Sequence, residues 1–211
     1  MSTEVSEIGR RTNERPDESA LARGVFVHEF GLCESANVGS GTRVWAFSHV
    51  LDGAIIGQDC NLGDGSFVEG GAVLGDRVVV KNGASVWAGV TLEDDVFAGP
   101  NVVFTNDRVP RAAPYRTPAD AWLPTLVRTG ATLGANATIL CGLTIGRHAL
   151  VAAGSVVTRD VPAHAIVRGS PARQAGWICL CGGRVDDELR CDQCAREYRK
   201  ESDGLHGSGA H

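Results

Sequence analysis

The stretch Ile56–Phe104 reads IGQDCNLGDGSFVEGGAVLGDRVVVKNGASVWAGVTLEDDVFAGPNVVF. Apolar residues, all but one of them large, recur at every sixth position: Ile56, Leu62, Val68, Leu74, Val80, Val86, Leu92, Ala98 and Phe104. The register extends backwards through Val50, Val44 and Val38. After an interruption it returns at Val127, Leu133, Ile139, Ile145, Val151 and Val157. Two residues before each, apart from Leu143 before Ile145, stands a small or β-branched residue, as at Ala54, Cys60, Ser66, Ala72 and Val78, and Gly often follows, as at Gly57, Gly63 and Gly75. Six residues make a short strand plus a corner. The large aliphatic points inward, the small residue points inward where the corner crowds it, and Gly, Asn or Asp takes the turn where φ is positive. Three such rungs close a triangular coil. No coil buries its inner face alone, so stacking supplies the stability. An ordinary β-sandwich does not account for a register of this length, and the fold expected is an all-β parallel solenoid.

Composition agrees. The chain has 211 residues, 27 of them Gly, and only 6% aromatics. So much Gly is costly in helix interiors, at roughly 1 kcal/mol each. The net charge of −5 is spread without a Lys/Arg block, which argues against a nucleic-acid groove. Apolar runs are too short for a bilayer span, and no apolar signal core opens the chain, so a cytoplasmic protein is expected. The register fails between Phe104 and Val127, where Pro110, Pro114, Pro118 and Pro124 fall. Long excursions from a solenoid usually serve function. The organisation expected is a flexible tail over 1–22, a β-helix over 23–162 with an excursion over 105–126, a linker or short helix over 163–178, a ribbon-like module over 179–200 and a flexible tail over 201–211.

The module rests on Cys179, Cys181, Cys191 and Cys194, spaced C-x-C-x₉-C-x₂-C. Two tight thiol pairs joined by a short hairpin supply four tetrahedral sulfurs for a structural zinc. Such a site is closed, with no open position for water. Cys60 falls at a small inward position and reads as core. Cys141 lies off the inward positions and has no visible activating partner.

Several segments resemble one family. Trp45-Ala46-Phe47-Ser48-His49-Val50, Phe67-Val68-Glu69, Val80-Lys81-Asn82-Gly83 and Leu92–Asn101 continuing into Phe104–Arg111 are similar to the hexapeptide-repeat sugar-nucleotide 3-amino N-acetyltransferases. Gly134–Ile139 and Gly154–Pro162 resemble that acyltransferase superfamily more widely. Pro171-Ala172-Arg173-Gln174 and Gly176-Trp177 resemble enzymes of UDP-linked 3-amino-glucuronates, whereas Phe67-Val68-Glu69 and Thr105-Asn106-Asp107 resemble those of dTDP-linked 3-amino-dideoxyhexoses. The resemblance spans roughly residues 25–185. It implies a left-handed coil, a homotrimer, acetyl-CoA as cosubstrate and direct attack of a neutral sugar amine on the thioester. The spacing alone does not give the hand.

Under that resemblance Asn82 is the first candidate to contact the reacting amine, since its carbonyl accepts a hydrogen bond but is no base. Its alternative is a corner Asn in a left-handed conformation. Glu69 points outward beside an inward Val and is a candidate for the amine or a sugar hydroxyl, against a solvated rung carboxylate. His49 is the alternative base by its intrinsic pKa, against a structural His at a subunit seam. Backbone amides at Asn136, Ala153 and Gly154 would hold the pantetheine arm, and Arg168 and Arg173 its phosphates. Asn106, Asp107 and Arg111 are candidates for the sugar nucleotide. Three other readings compete: a metal hydrolyase of the same fold using His49, His148 and His164, a non-catalytic scaffold, and an acyltransferase of a free amino sugar or amino acid.

Overall fold

The computed structural model describes residues 24–112, 115, 118 and 121–207, so the tail expected over 1–22 lies outside the described residues. These residues form a three-sided parallel β-helix with no α-helix among them. The first face stacks Phe26–Val27, Arg43–Val44, Asn61–Leu62, Val79–Val80, Phe97–Ala98, Thr132–Leu133, Leu150–Val151 and Ala165–Arg168. The second stacks Leu32–Cys33, His49–Val50, Phe67–Val68, Ser85–Val86, Val103–Phe104, Thr138–Ile139 and Val156–Val157. The third runs from Ile55–Ile56 through Val73–Leu74, Val90–Leu92 and Thr125–Val127 to Thr144–Ile145. Register partners such as Arg43, Asn61 and Val79 are eighteen residues apart, so one coil is three six-residue rungs. Phe97 pairs instead with Thr132, and the extra residues form the excursion, which leaves after Phe104 and returns at Thr125 on the corner between the second and third faces.

Every sixth residue is inside, as expected: Val44, Leu62, Val80, Leu92, Leu133 and Val151 are fully buried. The preceding small residues fill the corners, where most of their hydroxyls are satisfied and that of Thr125 has no partner among the described residues. Thr42 donates to the Gly57 carbonyl at 2.9 Å and Ser48 to that of Gly63 at 2.6 Å. Cys60 and Cys141 are both buried. The glycine after the large residue has a different reason from the one expected. Gly57 has no positive φ, but a Cβ there would lie 2.4 Å from the Gly75 carbonyl oxygen of the next coil. Positive φ falls two residues later, at Gly41, Asp59, Gly65, Arg77 and Asn101. Close approach of backbones, rather than turn conformation, selects Gly57.

Two expectations at the C-terminus are corrected. Residues 163–178 hold no helix: Ala165–Arg168 is the last parallel strand of the first face, and Arg173–Ile178 turns back antiparallel to it. The open edge of the solenoid offers unpaired backbone groups, and Ala165–Arg168, with the β-branched pair Ile166 and Val167, pairs with them. The tail expected from 201 is ordered to 207. Tyr198–Glu201 and Gly204–Gly207 form a hairpin, anchored by the buried Leu205. Gly204 is pressed so close to Ala163 that a Cβ would meet its nitrogen at 2.4 Å.

The register makes a direct prediction. Leu92→Ala, at a position with no exposure, is expected to cost about 2–5 kcal/mol in denaturant unfolding. Ile55→Ala, half exposed at 51%, is expected to stay within about 0.5 kcal/mol. Equal losses at the two positions contradict the assigned faces.

Candidate functional site

The corner between the first and second faces gathers most of the predicted residues onto one ridge. Asn82, Asn101, Asn136 and Gly154 occupy equivalent corners of successive coils, with Ala153 beside Gly154, and backbone hydrogen bonds link these corners. Asn101 N donates to Asn82 O at 3.0 Å, Asn136 N to Pro100 O at 2.9 Å, and Gly154 N to Ala135 O at 2.8 Å. One coil further, Ala152 N donates to Val167 O at 2.9 Å, which places Arg168 at the end of the same ridge. Arg173 is its partner across the antiparallel pair. Four coil steps at about 4.8 Å make a ridge roughly 19 Å long. Asn82, Asn136, Ala153, Gly154, Arg168 and Arg173 are all exposed.

The two asparagines differ. Asn136 has φ 57, a left-handed conformation that its side chain tolerates and most residues do not, so the corner itself accounts for it. Asn82 is not among the residues of positive φ. Gly83 beside it takes that role at φ 71. The conformational alternative to a chemical role for Asn82 is therefore removed.

The second face lies beside this ridge. Its outward ladder runs His49, Phe67, Ser85, Val103, Thr138 and Val156. His49 does not meet Asn82 or Glu69. Its Nε2 lies 3.3 Å from Glu34 Oε1, and its ring stands edge-on to Phe67 at 5.8 Å. Phe67 in turn packs against Trp87 at 5.4 Å. Glu34 was missed at the level of sequence, because it pairs with His49 only once the coil length is known. Glu69 sits on the far edge of the face, where its Oε2 accepts from Ala88 N at 2.9 Å, one coil on. Corner carboxylates repeat this device: Asp76 accepts from Gln58 N and Asp94 from Asp76 N, at 2.8 and 2.9 Å. One Glu69 oxygen is thus structural.

The excursion leaves from that same far edge. Asn106 and Asp107 are half-buried at its root, where Asp107 Oδ1 accepts from Val109 N at 2.8 Å and the Asn106 carbonyl from Leu123 N at 3.1 Å. Arg111 is exposed and donates to the Pro110 carbonyl. The second face is therefore a floor, with the ridge along one side and the excursion root on the other. His148 and His164 stand on the opposite corner, between the third and first faces, with ring centroids 5.1 Å apart. Within one chain they do not converge with His49, and no metal-holding group among the described residues includes any of the three.

The four cysteines converge. All four Sγ atoms lie within 4.8 Å of one another, with Cys179–Cys194 at 3.6 Å and Cys181–Cys191 at 3.5 Å. Metal–sulfur bonds of about 2.3 Å in a tetrahedron require sulfur–sulfur edges of roughly 3.8 Å. The donor set fits a zinc-sized dication. Burial works against the Cys179 thiolate, but hydrogen bonds from the Tyr198 hydroxyl and the Cys181 amide outweigh it and bring its pKa down to about 6. A hydrogen bond from Gly183 favours the Cys181 thiolate, yet its three neighbouring sulfurs push it up to about 12. Four thiols crowded so that they do not all ionise alone are what a dication relieves.

Comparison with known proteins gives the following. The family model "Bacterial transferase hexapeptide (six repeats)" matches residues 35–70, and "Hexapeptide repeat of succinyl-transferase" matches 53–88 and 129–159. The dTDP-3-amino-3,6-dideoxy-alpha-D-galactopyranose 3-N-acetyltransferase of Aneurinibacillus thermoaerophilus is 44% identical over 190 residues, covering 89% of this chain and 96% of that protein. The 2,3,4,5-tetrahydropyridine-2,6-dicarboxylate N-acetyltransferase of Staphylococcus aureus is 50% identical over 50 residues, 24% of this chain and 21% of its own. Among solved structures, the acetyltransferase domain of PglB from Neisseria gonorrhoeae in complex with acetyl coenzyme A superposes with a TM-score of 0.51 at 22% identity, covering 72% of this chain and 58% of that one, a likeness of fold.

The contrast between the asparagines is testable by denaturant unfolding. Asn136→Ala is expected to lose roughly 1 kcal/mol, because Ala is strained in the left-handed region, and Asn136→Gly to lose less. Asn82→Ala, at an exposed corner of ordinary φ, is expected to leave stability unchanged.

Proposed function

The chain belongs to the hexapeptide-repeat acyltransferases, in the branch of sugar-nucleotide 3-amino N-acetyltransferases, and from this premise we propose that it transfers acetyl from acetyl-CoA to the amino group of a dTDP-linked 3-amino-3,6-dideoxyhexose. The observation that carries the reading is the 44% identity extending over 89% of the chain and nearly all of the Aneurinibacillus enzyme. The ridge and the face beside it supply a matching geometry. Coenzyme A would lie along the ridge, with its arm over Asn136, Ala153 and Gly154 and its phosphates toward Arg168 and Arg173. The sugar nucleotide would lie on the second face against Asn106, Asp107 and Arg111.

The chemistry needs little from the protein. The neutral amine attacks the thioester carbonyl, the N–C bond forms, the C–S bond breaks, and the departing thiolate takes the amine proton. The enzyme's task is to hold the amine lone pair on the carbonyl. The Asn82 side-chain carbonyl accepts a hydrogen bond from the amine and does that without acting as a base. His49, already held by Glu34, is the alternative proton acceptor.

Three finer statements belong to the same proposal. The chain works as a homotrimer in the cytoplasm, with its acceptor site completed by a neighbour. Its four cysteines hold one structural zinc. No helix among the described residues is long and apolar enough to cross a membrane.

A thiol-release assay with mass spectrometry of the product tests the function. Acetyl is expected on a dTDP-linked 3-amino sugar. Transfer only to UDP-linked acceptors moves the nucleotide assignment, and a protein that binds no coenzyme A sinks the acyltransferase reading. Asn82→Ala is expected to lower kcat by roughly 10–100-fold with KM for acetyl-CoA nearly unchanged, the pattern of an interaction made in the transition state. His49→Gln with a normal rate removes the histidine from the proton path. Elemental analysis is expected to find one zinc per chain. Cys191→Ser, which removes a buried ligand, is expected to lose the metal and lower Tm. A metal-free protein of unchanged Tm contradicts the zinc site.

A further inference from the structure

The corner between the third and first faces, opposite the ridge, is roofed by the C-terminal module. Between them lies a cleft of about 1020 Å³, floored by the last coils and walled by residues 194–207. Its lining carries a small excess of arginine, Arg128, Arg147, Arg196 and Arg199 against Asp160, Glu197 and Asp203. On the module side Glu197 pairs with Arg190, Glu201 with Arg199, and Asp203 with His206. On the solenoid side Asp160 accepts from the Thr144 amide at 2.8 Å. The acidic groups are thus engaged. Arg128 and Arg147 from the solenoid and Arg196 from the module line the cleft with no side-chain hydrogen bond or close ion pair among the described residues, although Glu93 lies within electrostatic reach of Arg128 and Arg147, and Asp203 of Arg128.

His164 lies within electrostatic reach of two of them, Arg147 and Arg196. It is buried on the floor, its Nδ1 held 2.9 Å from the Ile178 carbonyl and its ring 5.0 Å from that of Tyr198. Burial lowers its pKa first, and His206, Arg196 and Arg147 lower it further. A hydrogen bond to the Ile178 carbonyl opposes this. A concave surface with facing, unpaired guanidinium groups is electrostatically unfavourable when empty and favourable around an anion. Guanidinium forks match phosphate oxygens two at a time. The cleft is of a size that takes a small phosphorylated molecule.

We propose that this cleft is a second ligand site, which binds a small molecule bearing a di- or polyphosphate through Arg128, Arg147 and Arg196. It is separate from the acetyl-donor ridge, because Asn136, Gly154 and Arg168 lie on a different corner of the prism. The proposal does not depend on the identity of the acceptor sugar.

Isothermal titration of the full-length protein with inorganic pyrophosphate, at physiological salt and with coenzyme A already saturating, tests it. Saturable binding to a single site per chain is expected. Arg147→Gln and Arg196→Gln, at exposed side chains, are each expected to weaken it by roughly tenfold or more. Arg168→Gln is expected to leave it unchanged. The proposal is overturned if no binding occurs, if coenzyme A abolishes it, or if the two cleft variants bind as tightly as the parent. Failure of acetyl transfer with pyrophosphate binding intact would count against the proposed function and leave this site standing.

Discussion

The structure depends on the hydrogen-bonded stacking of each coil on the next in an eighteen-residue register. A strand of two residues buries almost nothing by itself. It becomes stable because its neighbours above and below complete its backbone pairing and close a column of aliphatic side chains inside. Everything at the surface inherits this constraint. A residue's place within the six-residue rung fixes its face or corner, and its coil number fixes its height. The ridge between the first and second faces is a consequence of that rule: corner residues from four consecutive steps fall in line without any loop to place them.

The same constraint explains where the fold departs from strict repetition. Inside the stack, backbones approach so closely that Gly57 admits no side chain. At the second–third corner the chain leaves the register, and the departure raises Asn106, Asp107 and Arg111 beside the second face. At the C-terminal end the stack has an open edge. It is closed by an antiparallel return and by a hairpin docked through Leu205 and Gly204. The cysteine cluster fixes a module with a small core, Cys179, Val185, Cys191, Tyr198 and Leu205, which such a core alone would hold poorly.

The sequence was most legible where one residue's burial decided the matter. Val80, Leu92 and Val151 are inside because their position in the rung says so. The cysteine spacing likewise announced its own convergence. The hand of the coil and the substrate class came from resemblance, since neither follows from a period of six. What stayed hidden depends on contacts across coils. Gly57 reads as a turn residue until the carbonyl of the next coil is seen. Glu34 and His49 pair across neighbouring coils, and nothing in the local sequence marks them. Asn82 and Asn136 look equivalent until their φ values separate them. Residues 163–178 read as a linker or helix because the six-residue register ends at Val157, whereas pairing with the Leu150–Val151 edge makes Ala165–Arg168 a strand and Arg173–Ile178 its antiparallel return.

The central claim is that the first–second ridge carries the donor and the second face carries the acceptor. A crystal structure with coenzyme A and the acetylated nucleotide sugar tests it most directly. The account predicts the pantetheine arm along Asn136 and Gly154, its sulfur and the new amide meeting at Asn82, and the nucleotide lying toward the root of the excursion. Coenzyme A bound along either of the other two corners would contradict it.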